Sequence, residues 1–158
     1  GSREGYMGLI FLVLDGNTPA KKTSQRAFKR GKFTKILPSE RHENWHDANM
    51  ASLVLPDVPL PLSGRQRLSV HFVRKAHRKW DYTNALDAVQ DFLVDAGILS
   101  DDNAEALCLG NITHEYDKTN PRAIVFLEDD SGTRNLWRKI VDAYSEMRKI
   151  LMEKVNRG

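Results

Sequence analysis

The segment 81–103 constrains this chain more than any other. Leu86, Val89, Leu93 and Ala96 recur at intervals of three and four residues, which puts them on one stripe of a helix over 81–96. Asn84, Asp87, Asp91 and Asp95 form the opposite stripe. Gly97 stops the pattern as a left-handed C-cap, with Ile98 packing back on the last turn. Such a helix needs an apolar surface to lie on, and the preceding segment 66–75 supplies one. There Leu68, Val70 and Phe72 alternate with Ser69 and His71, as in a half-buried strand.

Further strands are predicted over 8–14, ended by Asp15-Gly16, and over 106–115 and 123–128, joined by a loop with Asp117, Asn120 and Pro121. The basic segments 24–29 and 32–37 suit a hairpin around Arg30-Gly31. A helix begins at Ser39, with Glu40 and Glu43 towards its positive end, and runs to about Leu53. A last helix over 133–155 carries Trp137, Ile140, Val141, Tyr144, Met147, Leu151 and Val155 on one face. The expected architecture is a single α/β (α+β) domain over 7–128, with about six strands in a mixed sheet and packed helices. An extra C-terminal amphipathic helix, 133–156, packs on the domain or builds a dimer interface.

With 158 residues the chain suits one core. Its longest apolar run, 9–14, is far short of the ~20 residues of a membrane span. Residues 1–6 resemble a tag remnant, with Met7 as the native start. A single cysteine, Cys108, excludes a disulfide framework and points to a reducing, cytoplasmic setting, with Cys108 itself a small core residue.

The net charge is only +3, but its distribution is uneven. Residues 17–39 hold seven Lys or Arg and no acid, and residues 58–80 hold six and no acid. The acids gather between Asp81 and Asp130. Basic flanks around an acidic centre suit a nuclease, in which cations hold phosphates and carboxylates hold a metal. They equally suit solvated faces without a ligand. The same ambiguity holds for Asp81, Asp101 and Asp102: a helix N-cap and an acidic loop, or oxygen ligands of a hard cation. A helix of ~16 residues is ~24 Å long. In one chain these carboxylates therefore meet only if 98–102 doubles back along the helix.

His42-Glu43-Asn44-Trp45-His46 matches the zinc-peptidase pattern H-E-x-x-H, but Asn49 and Ser52 stand where its extended form needs Gly and His. The expected arrangement has Trp45 in the core with His42 and His46 facing solvent or DNA; zinc peptidase chemistry is the remote alternative. His71 and His77 read as surface residues, with a general-base role for His77 as the competing reading.

The order basic strand, Asp81-x-x-Asn84, helix with Asp91, Ala96-Gly97, then Asp101-Asp102 resembles the signature of RusA-type Holliday junction resolvases. The likeness spans about 7–128 and includes the basic segment 19–35. It implies a magnesium-dependent endodeoxyribonuclease, with manganese as a substitute, acting as a homodimer on four-way or branched DNA in recombination and repair. By motif matching, Asp81 and Asp102 are metal ligands and catalytic residues, Asp101 and Thr83 further ligands, and Asn84 and Asp91 supporting residues. Lys21, Lys22, Arg26, Lys29, Arg30, Lys32, Arg74, Lys75, Arg78 and Lys79 would bind the DNA backbone. Two positions depart from the family pattern and look like phage-type variation. Thr83 replaces a second Asp, and Asp87 stands where the family has a Lys. Asp87 would restore the missing carboxylate, which makes it a catalytic candidate. The alternative these departures raise is a RusA-like DNA-binding protein with weak catalysis.

Overall fold

The computed structural model describes residues 9–20 and 40–157, without the side chains of 131–135. Within them the chain forms β1 (Ile10–Asp15), α1 (Glu40–Ser52), β2 (Gln66–Arg74), α2 (Tyr82–Asp95), β3 (Leu107–Tyr116), β4 (Arg122–Asp129) and α3 (Ser131–Asn156). The strands make one mixed sheet in the order β1-β4-β2-β3. β4 pairs antiparallel with both β1 and β2, while β2 and β3 are parallel. The mixed α/β expectation holds. Four strands stand in the described sheet where about six were predicted, and the hairpin 24–37 and the Ser39 cap lie outside the described residues.

Parallel pairing of β2 and β3 requires a crossover, and α2 is that crossover. Its buried stripe is wider than the sequence pattern suggests: Ala85, Leu86, Ala88, Val89, Phe92 and Leu93 all lie inside. They rest on Leu68, Val70 and Phe72 of β2 and on Ala123, Val125 and Leu127 of β4, in one continuous core. Each large side chain buried this way contributes about 1.5–3 kcal/mol. Gly97 adopts φ +74°, as a left-handed C-cap requires. The Ile98 amide donates to the Leu93 carbonyl at 3.0 Å and the Gly97 amide to Val94 at 3.0 Å, and Ile98 is fully buried. The Ile98 carbonyl then accepts from the Leu62 amide at 2.9 Å, which pins the end of α2 beside the chain entering β2.

The helix α1 reaches the core through Trp45, whose ring meets Phe92 edge-on at 5.8 Å. Its registration depends on buried Asn49. The Asn49 Oδ1 accepts from the Asp15 amide at 2.8 Å, and Nδ2 donates to the Asp15 carbonyl at 3.0 Å and to the Trp45 carbonyl at 3.0 Å. One side chain thus terminates β1 and fixes α1 against it. On β3 a register shift opposite Ser69 is closed by the Asn111 amide, which donates to Ser69 Oγ at 3.1 Å. Gly110 sits at that shift because a Cβ there would collide with Ser69 Oγ.

The start of α3 is tied down: Asp130 is buried, its amide donates to the Arg65 carbonyl at 3.0 Å, and Arg65 Nε donates to its carboxylate at 2.7 Å. Beyond that point α3 keeps its apolar stripe exposed, with Trp137 at 58%, Tyr144 at 60% and Leu151 at 56%. The helix expected to pack on the domain or to build a dimer interface thus leaves its apolar stripe exposed within one copy. No helix of the described residues is long and apolar enough to cross a membrane.

Replacing Asn49 by Ala strips partners from both backbone groups of Asp15. We expect a loss of about 1–3 kcal/mol in unfolding free energy, read from denaturant midpoints at unchanged slope.

Candidate functional site

Asp81 is the N-cap of α2, with extended backbone at φ −99° and ψ 109°. Its Oδ1 accepts from the Thr83 amide at 2.9 Å and from the Thr83 hydroxyl. Its Oδ2 accepts from Asn84 Nδ2 at 3.1 Å. These residues form a polar cluster at the positive end of α2, where Asp81 and Thr83 are exposed and Asn84 half-buried. Asp87, one turn on, is also exposed. Capping accounts for these contacts of Asp81.

The loop before Asp81 carries the basic run. Lys75, Arg78 and Lys79 are exposed. Arg74 is not available in the same way. Its Nη1 donates to the Thr18 carbonyl at 2.6 Å, and its guanidinium lies 4.3 Å from the centre of the Trp80 ring. Burial pulls the Arg74 pKa down, although a guanidinium still stays charged. Arg74, expected to bind the DNA backbone with its neighbours, is thus also engaged in packing this loop. Lys21, Lys22, Arg26, Lys29, Arg30 and Lys32 lie outside the described residues.

Trp80 belongs to an aromatic group that sequence reading missed. It meets Phe72 edge-on at 5.4 Å and His114 at 5.6 Å, and His77 stacks on Tyr116 at 3.7 Å. His77 and Trp80 precede Asp81 in sequence, but His114 and Tyr116 end β3. Only parallel pairing puts the two sets side by side. His71 lies on the sheet face away from the helices, bridging Thr113 Oγ1 at 2.7 Å and Glu115 Oε2 at 3.0 Å.

Asp101 and Asp102 are exposed at the other end of α2. The Asp101 carboxylate accepts from the Asp102 amide at 2.7 Å and from Asn103 Nδ2 at 3.0 Å. The Asn103 carbonyl accepts from Ala106 and Leu107, and the Ala106 carbonyl accepts from Gln66 at 2.9 Å. This turn delivers the chain directly into the start of β3. Asp81 thus sits by the ends of β2 and β3, and Asp102 by their beginnings. A helix of 14 residues, roughly 21 Å, lies between them. The doubling back along α2 that a single-chain pocket needs does not occur.

A different set of ligand-type groups does converge. His46 of α1 and Asp91 and Asp95 of α2 offer donor atoms that all lie within 4.8 Å of one another. His46 Nε2 and Asp95 Oδ2 are 2.8 Å apart, and the His46 ring meets Phe92 edge-on at 5.5 Å. An ordinary His–Asp hydrogen bond joining two helices explains this geometry. His42 is not in the group. It is buried beside Trp45, so the expectation that His42 and His46 both face outward is corrected. A peptidase pair at His42 and His46 has no support in this arrangement. Cys108 is half-buried. Burial raises its pKa, and the neighbouring Asp130 carboxylate adds to the shift.

No family model and no curated protein matches this chain.

The cap geometry separates structural from chemical roles of Asp81. Asp81→Ala should cost about 1 kcal/mol by urea unfolding, whereas Asp81→Asn, a good N-cap in its own right, should cost only a few tenths. Equal losses in both variants would show that the carboxylate, not the cap, sustains this end of α2.

Proposed function

We propose that this chain is a metal-dependent endonuclease for branched DNA, of the RusA type, whose active site is completed between two copies. The observation that carries the reading is the placement of the acids on α2. Asp81, Thr83 and Asn84 are gathered at its positive end beside exposed Lys75, Arg78 and Lys79, while Asp101 and Asp102 project from the turn past its other end. One carboxylate with a hydroxyl and an amide is a sparse donor set. A second pair of carboxylates completes an oxygen set of the kind hard divalent cations take. Because α2 separates the two ends of one chain, the second pair must come from another copy. A two-fold dimer supplies two such pairings at once.

Magnesium or manganese held there would polarise a phosphodiester and furnish hydroxide near neutral pH. The protein's own groups have complementary tasks. Lys75, Arg78 and Lys79 hold the backbone phosphates without reading bases. Asn84 keeps the Asp81 carboxylate oriented through its Oδ2. Asp87 adds negative charge one turn along the same helix face.

A second reading has one specific observation behind it. The Thr83 hydroxyl, which stands where the family has an Asp, is already engaged with Asp81. A site with one carboxylate fewer fits a junction-binding protein with weak cleavage.

The test is a four-way junction assay with and without magnesium, beside a linear duplex. Asp81→Asn and Asp102→Asn should each abolish cleavage and leave binding intact. Mixed and allowed to exchange subunits, the two inactive variants should recover cleavage at about a quarter of sites, since half the dimers are mixed and each has one intact pairing. No recovery would rule out the shared pocket. Salt-sensitive junction binding with no metal-dependent product from the unmodified chain would favour the second reading.

A further inference from the structure

Among the described residues two large apolar surfaces are exposed, and they start from the same end of the sheet. The first is the α3 stripe. Ten large apolar side chains between Leu136 and Val155 are exposed, none by less than 45%. The second is the face of β1 and β4 opposite the helices. Leu9, just before β1, and Phe11 and Val13 on it alternate outward, and Phe11, 55% exposed, packs its ring at a tilt against Phe126, centroid to centroid 5.0 Å. Phe126 lies directly opposite Phe11 in the register, and Ile124 opposite Val13. The rest of that face is polar: Arg67 pairs with Glu128 at 2.8 Å and His71 with Glu115 at 3.0 Å. The apolar half is therefore a bounded patch with a charged margin, the anatomy of an interface.

We infer that α3 of one copy seats its apolar stripe on the β1–β4 face of a second copy, reciprocally, and that this exchange is the dimer contact. Size supports a second copy. At roughly 100 Å² for each half-exposed side chain, the stripe alone offers about 1,000 Å² per copy, against ~800 Å² per partner in a standard stable interface. Self-complementarity supports it further. A foreign partner on α3 would leave the sheet patch in water, whereas a two-fold exchange covers both surfaces of both copies. Pairing of α3 with α3 is less suitable. Counting Trp137, Tyr144 and Leu151 as one seam row, the alternate row runs Ile140, Met147 and then Lys154, a charge at the seam. The Arg65–Asp130 pair fixes the point where α3 leaves β4, so the stripe is presented from an anchored start.

The inference does not depend on the nuclease reading, and its test contains neither DNA nor metal. Sedimentation equilibrium of the full chain should give twice the 18.0 kDa monomer mass. Tyr144→Glu with Leu151→Glu should weaken dimerisation at least about tenfold while leaving the circular dichroism of the folded chain unchanged, because these residues are exposed within their own copy. Phe11→Glu should weaken it similarly. As a check independent of destabilisation, Cys108→Ser chains carrying Met147→Cys and Cys108→Ser chains carrying Phe11→Cys should form a mixed disulfide-linked dimer on oxidation. A monomer at tens of micromolar would overturn the proposal. So would a dimer that survives the α3 substitutions. A dimer lost with α3 but indifferent to Phe11→Glu and lacking the mixed cross-link would overturn the seating on the sheet. A cleaving dimer that is indifferent to the α3 and Phe11 substitutions would sink this inference alone, a dimer without cleavage would sink the nuclease reading alone, and cleavage by a monomer would sink both this contact and the shared pocket.

Discussion

The parallel pairing of β2 with β3 is the constraint on which the rest of this structure depends. Two parallel neighbours cannot be joined by a tight turn, so the chain must travel back along the sheet between them. It does so as α2, whose buried stripe from Ala85 to Leu93 is also the centre of the core. The same element therefore sets the fold, supplies six residues of the core and decides where the acidic residues at its two ends can go.

That last consequence governs any chemistry. A residue just before α2 and a residue just after it are held a helix length apart, however close they stand in a motif. Asp81 is bound into the cap by Thr83 and Asn84, and Asp101 is bound into the turn by Asn103. Both arrangements are local and leave the carboxylates at the surface. If the two ends are to share a cation, the second copy has to supply one of them. The exposed stripe of α3 and the apolar β1–β4 face are the surfaces on which the proposed contact between copies rests.

Much of the fold was legible in the sequence because the signals were periodic and locally enforced. The alternation of Leu68, Val70 and Phe72, the helical spacing from Leu86 to Leu93, and Gly97 as a left-handed stop each follow from backbone geometry within a few residues. The N-cap role of Asp81 was legible for the same reason. The outward expectation for His42 failed because α1 has weak amphipathicity, so its spacing does not say which side meets Phe92. Arg74 looked like one more cation in a basic run. Its burial against Trp80 and Thr18 depends on residues 6 and 56 positions away.

The sequence by itself determined the elements: which segments are strands and helices, where α2 starts and stops, and that acids and bases are segregated along the chain. These depend on dihedral preferences and on which side chains avoid water, which neighbours in sequence settle between them. Tertiary structure alone decided which residues meet. The pairing of β2 with β3 sent Asp81 and Asp102 to opposite ends and joined Trp80 to His114, and the packing of α1 against α2 brought His46 to Asp91 and Asp95. Such meetings are fixed by strand order and helix direction, which are properties of the whole packed chain and have no counterpart in any local pattern.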